Sequence, residues 1–434
     1  MTPGTRPPPL YGLWAFGAVT KIAIFVLAGR GYGYLSDELY FLDAASHLAF
    51  GYVDFPPAIA WIGAAIVALL GSDVLVLRGT ACLVGIGVTI LAIDITRLLG
   101  GRHTAQWATA LVVLFAPAFL SVQSIFTMNV FDQLWWALSF WLLIRYLDNP
   151  LPKYMIALGV IFGCAMLTKL SIIAWFAALG VSVLIYARWT LARTEVWAAV
   201  GLMLVISSPF LVWQVANGWP FLEFIQAYPT GATTAEAMVI DQPIFGLIAT
   251  MNPPFMLIWL PGLLYGLVAA NPTARILGTA AAICLGLFLI AGVKFYFATP
   301  LFILFGALGG LLWERWLLDR TRMREAFLVT MAISGLVSIP IAAPVLPPPA
   351  LQRVADFIRD GEQGFPGTEP AAIGRYFPHF AEMHGWPGLV ALVATHYQSI
   401  PAAERQSVTI VAAHFSQAGA LNQLDYDNVL PGVY

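Results

Sequence analysis

YLSDELYFLDAASHLAFGYVDFPP, running from Tyr34 to Pro57, is the stretch whose reading decides the fold. It follows an apolar run, Tyr11 to Gly29, that spans about 28 Å as a helix at 1.5 Å per residue, enough for the hydrocarbon core of a bilayer. Two adjacent carboxylates, Asp37 and Glu38, therefore arrive where lipid meets water. A third, Asp54, follows one short helix later, in the turn imposed by Pro56 and Pro57. In a chain with 10% charged residues, three acids gathered beside one membrane face are functional candidates by default.

The rest of the composition agrees. Hydrophobic residues make up 60% of the 434 and the mean hydropathy is +0.81, the profile of a polytopic α-helical membrane protein. A net charge of −2 offers no basic face and so no nucleic-acid partner. Cys82, Cys164 and Cys284 each stand alone in an apolar segment, which suggests neither a disulfide framework nor a thiolate metal site. Arg30 follows the first run directly, without a small-residue cleavage pattern before it, so that run reads as a retained helix rather than a signal peptide.

Working outward, Ser36 is placed to cap a helix with Asp37 and Glu38 in its first turn, and Leu35, Leu39, Leu42 and Ala45 recur at helical spacing. Ala58 to Leu70 is too short to span and reads as a second interfacial or re-entrant helix. Further spans are predicted at Val74–Leu98, Ala105–Val122, Val130–Leu147, Tyr154–Thr168, Leu170–Ala187, Val196–Val215, Ile244–Ala269, Ile276–Val293, Ala298–Trp316 and Ala326–Val345, with a polar loop from Asn217 to Gln242. The first run brings the total to about eleven transmembrane helices. After Pro344-Val-Leu-Pro-Pro-Pro349 the composition turns soluble. Residues 1–348 thus read as the membrane domain. Residues 349–434 read as a small C-terminal extracytoplasmic unit of mixed helix and strand, in which Phe380, Trp386, Val390, Val393 and Val408–Ala413 supply the apolar positions.

Basic residues set the orientation. With the N-terminus cytoplasmic, the inside loops collect Arg6, Arg97, Arg102, Arg145, Lys153, Arg188, Arg193, Arg275, Arg320, Arg322 and Arg324. Outside remain Arg30, Lys169 and Lys294, with Arg78 just inside the outer end of its helix. Asp37, Glu38, Asp54, Asp132, Lys169 and Lys294 then share the extracytoplasmic face. Each also has a plainer reading. The Ser36-Asp37-Glu38 group can be a helix start and Asp54 a turn residue. Asp132 can cap a helix, although it lies inside an apolar run where an unpaired carboxylate is costly. Lys169 and Lys294 can snorkel at span ends, and Arg78 can pair with an acid of the first loop. Asp94 and Arg97 read as an i,i+3 pair, and His379, His384, His396 and His414 lack metal-ligand spacing. A carboxylate at the membrane surface can serve as general base toward a hydroxyl, and lysines there can hold phosphate oxygens.

Taken together, Asp37-Glu38 after the first helix, Gly-Tyr-Val-Asp54-Phe-Pro-Pro, Arg78 early in the next span, Asp132, Leu-Thr-Lys169 between two short helices and Lys294-Phe-Tyr296 before a later span resemble the GT-C glycosyltransferases of family 39. These are the protein O-mannosyltransferases and the bacterial aminoarabinose transferases. The resemblance covers about Tyr11 to Pro348. It implies transfer of a sugar, with inversion, from a polyprenyl-phosphate donor to a lipid, glycan or protein acceptor. The site would face the periplasm or cell exterior from the inner membrane. It also implies that Asp37 is the catalytic acidic residue of the first loop, acting as general base, with Glu38, Asp54 and Asp132 beside it, and that Lys169, Lys294, Arg78 and Tyr296 contact the donor phosphate. No cofactor is identified, and a divalent cation stays open. The chain departs from the pattern at Phe55, where relatives often carry Lys or His. Some bacterial relatives carry a tail with a stretch resembling Phe377-Pro-His-Phe-Ala-Glu-Met-His-Gly-Trp386. A secondary transporter, which should place its charges near the midplane on inverted repeats, and a non-catalytic membrane scaffold are the alternatives.

Overall fold

The computed structural model describes residues 6–29, 31–227, 241–359 and 378–433. Arg30, Phe377 and most of the second half of the Asn217–Gln242 loop lie outside them. Helix α1 (Tyr11–Ala28) leads into α2 (Ser36–Ser46) and α3 (Ala58–Leu70), the two short helices expected of the first loop. Next come α4 (Val74–Leu98), α5 (His103–Phe115), α6 (Pro117–Val122), α7 (Met128–Asp148), α8 (Pro152–Thr168), α9 (Ile172–Tyr186) and α10 (Thr194–Ala216). The second half holds α11 (Pro220–Ala227), α12 (Asp241–Thr250), α13 (Met256–Val268), α14 (Pro272–Ile290), α15 (Leu301–Trp316) and α16 (Thr321–Ala342). The tail is built from α17 (Pro348–Arg359), α18 (Pro378–Ala381), α19 (Trp386–Ser399), α20 (Ala402–Arg405) and α21 (Phe415–Gln423).

Every predicted span has helix beneath it, with two corrections. The run Ala105–Val122 is broken at Ala116, which is extended (ψ 133°) because Pro117 occupies the first position of α6 and its ring disfavours a helical residue before it. The run Ile244–Ala269 is bent by 100° between Thr250 and Pro253. There Asn252 takes a left-handed backbone (φ 61°) ahead of Pro253-Pro254, which cannot donate to a helix ladder. By length and composition five described helices can cross a membrane, α1, α4, α10, α14 and α16, or six if the bent pair counts as one. Helices α8 and α9 are shorter, 17 and 15 residues, and meet at Lys169–Ser171.

The core of the bundle is α15, whose residues Leu301 through Leu311 are all buried. It is flanked by α5, α13 and α4. Contact is so close that a Cβ on Gly262 would collide with the Phe305 carbonyl and one on Gly309 with that of Ile258, the small-residue approach that packs helices when no hydrophobic force separates protein from lipid. Polar pairs tie one end of the bundle together. Arg6 meets Asp148 at 2.7 Å, Thr273 donates to Asp148 at 2.9 Å, Arg97 meets Asp94 at 2.6 Å, and Glu314 accepts the backbone N–H groups of Arg102 and Ala105. These contacts put the start of α1 with the ends of α4, α7 and α15, so the Tyr34–Pro57 stretch, Asp132, Lys169 and Lys294 occupy the other end.

The tail differs from the mixed unit expected. Among the described residues it forms no strand, only an isolated parallel bridge between Ile410 and Val433. Instead of pairing strands, its apolar side chains pack on the first loop. Val390, Ala420, Leu421, Leu424 and Val433 bury Leu39 of α2, while Leu351, Phe380 and Met383 enclose Tyr32 and Leu35.

Candidate active site

The neighbouring acids Asp37 and Glu38 face different surroundings because successive helix positions are about 100° apart. Glu38 points inward and is completely buried. Its Oε1 accepts Arg78 Nε at 3.0 Å and the Phe126 backbone N–H at 2.9 Å. Its Oε2 accepts an Arg78 terminal nitrogen at 2.8 Å and the Leu35 backbone N–H at 2.9 Å. Arg78, 2% exposed, also donates to the Gly33 carbonyl at 2.7 Å. All of Glu38's stronger acceptor directions are used. The geometry gives Glu38 and Arg78 a structural task, fixing the start of α2 on α4. Ser36, expected as the cap, is corrected: Leu35 holds the cap position, and the capping interaction comes from Glu38 reaching back to it.

Asp37, about 100° round α2 from Glu38, is half-buried. Burial first, and then the carboxylate of Glu382, push its pKa up to about 6, with Lys294 acting in the other direction and Glu38 and Asp54 adding to the rise. Asp54 accepts the Tyr40 hydroxyl at 2.8 Å and is itself raised, chiefly by burial. Phe55 turns away from it into an aromatic cluster with Tyr40, Phe41 and Tyr52, ring centroids 4.5 to 5.3 Å apart. The position where relatives carry a cation is thus core here.

Asp132 is not a cap, since Thr127 caps α7 by accepting the Asn129 N–H. It is buried and accepts Trp136 Nε1 at 3.0 Å and the Ser171 hydroxyl at 3.3 Å. Lys169 does not snorkel. It is 5% exposed, donates to Asn129 Oδ1 at 2.7 Å, and stands over the Phe297 ring at 3.7 Å and the Tyr296 ring at 4.9 Å. Both Asp132 and Lys294 lie within electrostatic range of it. Lys294 is exposed and also lines an apolar crevice with Leu247, Leu285, Phe288 and Ala298. One end of the bundle thus gathers Asp54, Asp37, Lys294, Lys169 and Asp132 into a polar floor in which each lies within electrostatic range of the next. Among the described residues no group of three His, Cys, Asp or Glu side chains is placed to hold a metal ion.

Several participants carry no signal in the sequence. Asn129, Phe297 and Tyr40 look like ordinary span or interface residues until the fold brings them to charges. Lys21, buried in α1 with its ammonium 3.5 Å from the Val113 carbonyl, shares a small crevice with Arg78, Gln123 and Ser124. It breaks an apolar run and could have been found there.

Comparison with known proteins meets this geometry. The chain superposes on the crystal structure of ArnT from Cupriavidus metallidurans bound to undecaprenyl phosphate with a TM-score of 0.63, at 18% identity, over 95% of this chain and 85% of that one. The fold is that of the GT-C glycosyltransferases. The apo form of the same ArnT matches equally, at 17% identity over 95% and 84% of the two chains, TM-score 0.63. The GT-C fold extends to the archaeal oligosaccharyltransferase AglB from Archaeoglobus fulgidus, in complex with an inhibitory peptide and a dolichol-phosphate. That match has a TM-score of 0.58 at 12% identity and covers 95% of this chain and 63% of that one. Residues 54–213 match the family model described as dolichyl-phosphate-mannose-protein mannosyltransferase. No curated protein sequence matches the chain.

Proposed function

We propose that the chain is a membrane glycosyltransferase that moves a sugar from a polyprenyl-phosphate donor to an acceptor hydroxyl on the extracytoplasmic face, with inversion. The observation that carries the reading is that Lys294, which lines an apolar crevice, lies within electrostatic range of both Asp37 and Lys169. A polyprenyl phosphate needs that combination, an apolar wall for the chain and cations for the phosphate. The fold and the family-model match support it, and the ArnT structure holds undecaprenyl phosphate.

The chemistry is a single displacement. The acceptor oxygen attacks the anomeric carbon as its proton passes to Asp37, and the bond from that carbon to the donor phosphate oxygen breaks with the electron pair leaving on the phosphate. Attack opposite the leaving group inverts the centre. Lys294 and Lys169 meet the charge that grows on the phosphate, in a partly dry site where such contacts count most. A carboxylate whose pKa lies near 6 is a stronger base than an exposed aspartate and still ionised at neutral pH. Asp54 and Asp132, each held by donors, shape the acceptor and donor sides.

The test is transfer of labelled sugar from a polyprenyl-phosphate donor by the purified protein. Asp37→Asn keeps size and hydrogen bonding but cannot take the proton, so turnover should fall by about 10²-fold or more with donor binding retained. Near-normal transfer by Asp37→Asn, with Asp54→Asn or Asp132→Asn inactive, would move the base to another carboxylate.

A further inference from the structure

The tail reaches the site through a segment to which the transfer reading assigns nothing. Gly33 N–H donates to the Met383 carbonyl at 3.1 Å. A side chain on Gly33 would place its Cβ 2.8 Å from that oxygen, so glycine is required for the approach. Trp386 Nε1 donates to the Tyr34 carbonyl at 3.0 Å and to the Glu382 carbonyl at 2.8 Å, fixing the segment at both ends of its turn. Phe380 and Met383 are buried against Tyr32 and Leu35. Between these anchors stands Glu382, whose Oε2 accepts the Ser36 hydroxyl at 2.5 Å, one residue from Asp37.

We propose that Glu382 is a positioning residue of the active site, a carboxylate delivered by the tail that holds Ser36 at the start of α2 and sets a negative charge facing Asp37. This rests on the transfer reading for its consequence, though not for the contact itself. The charged groups facing Asp37 come from four directions: Glu382 from the tail, Lys294 from the segment before α15, Glu38 from its own helix and Asp54 from the turn after α2. Glu38 is neutralised by Arg78 at 2.8 Å, and Asp54 shares its charge with the Tyr40 hydroxyl. After burial, Glu382 and Lys294 are therefore the largest and mutually opposed charges acting on how readily Asp37 takes a proton. A like charge raises a carboxylate's proton affinity and a lysine lowers it. A tail that undocks removes the first and opens α2 to water, and both changes leave Asp37 a weaker base. Sugar transfer is in this way coupled to the seating of the soluble unit on the membrane domain.

Glu382→Gln isolates the charge, because the glutamine amide oxygen still accepts from Ser36. The readout is reaction of Asp37 with an apolar carbodiimide, which attacks protonated carboxyls, followed across pH by mass spectrometry on the full-length protein in nanodiscs. The wild-type midpoint is expected near 6, the value to which Asp37 is raised. Glu382→Gln should lower it by roughly half to one pH unit, and Glu382→Asp should restore part of the difference. The acid limb of the transfer rate should move by the same amount and the plateau should fall several-fold, since a weaker base transfers the proton less readily. An unchanged midpoint and an unchanged acid limb in Glu382→Gln overturn the proposal. A labelling midpoint that shifts in Glu382→Gln, with no sugar transferred by the wild type, overturns the transfer reading and leaves the placement of Glu382 standing.

Discussion

At Asp37 and Glu38 one peptide bond separates the proposed base from a residue that holds. Glu38 has every strong acceptor site filled and a guanidinium at 2.8 Å. Among the described residues Asp37 has no comparably strong donor, and its pKa is pushed up to about 6, burial being the main cause. A raised carboxylate pKa favours the protonated form, and a base must be ionised, so transfer should be full above pH 7 and decline as pH falls through about 6. A pH–rate profile flat down to pH 4 would show that Asp37 does not act as the base. Arg78→Ala should act on folding instead, because it leaves Glu38 buried and unpaired at a cost of about 3–5 kcal/mol. Thermal unfolding in detergent checks this: a variant as stable as wild type but inactive would return Arg78 to the donor phosphate. The sequence shows that two acids start a helix. It does not show which one meets Arg78, since the partner lies forty positions away in α4 and only packing chooses the face.

Among the elements, the break between α8 and α9 carries the most consequence. Two helices of 17 and 15 residues stop short of a full span and leave Lys169 between them, held by Asn129 and the Phe297 ring. The segment 295–298 that supplies the ring also bears Lys294 at its start. A lysine so held is pre-aimed and pays little entropy when an anion arrives. Lys169→Met keeps much of the volume and removes the charge, so kcat/KM for the polyprenyl-phosphate donor should fall by about 10²-fold while the fold persists. Lys294→Ala should weaken donor binding with less effect on stability, because its side chain is exposed. Wild-type rates in both variants would remove the two lysines from the donor site. The short helices and the lysine between them were legible, because length and charge are properties of the string. The break before Pro117 and the 100° bend at Asn252 were written there too, as prolines inside apolar runs. The tail was misread for a different reason. Val408 to Ala413 has the composition of a strand, but strand pairing needs a neighbour, and α2 supplies an apolar face to α21 instead.

For the whole molecule, the pairs Arg6–Asp148 and Arg97–Asp94 and the carboxylate of Glu314 at the start of α5 gather at one end, and the polar floor with the tail at the other. A bilayer turns that polarity into a topology. Most of the Lys and Arg of the membrane domain flank the end away from the floor, and basic residues near span ends stay cytoplasmic. The floor and tail should therefore face the cell exterior or periplasm, the side on which a flipped polyprenyl-linked sugar would be presented. In intact cells, Gln398→Cys should react with a membrane-impermeant thiol reagent and Arg322→Cys should be protected until the membrane is opened. The native thiols give little background, as Cys82 and Cys284 are buried and Cys164 is partly buried within α8. Labelling of Arg322→Cys with protection of Gln398→Cys would invert the molecule and put Asp37, Lys169 and Lys294 in the cytoplasm. The site could then draw on donors made there, and the case for a lipid-linked sugar presented outside would fall with the orientation.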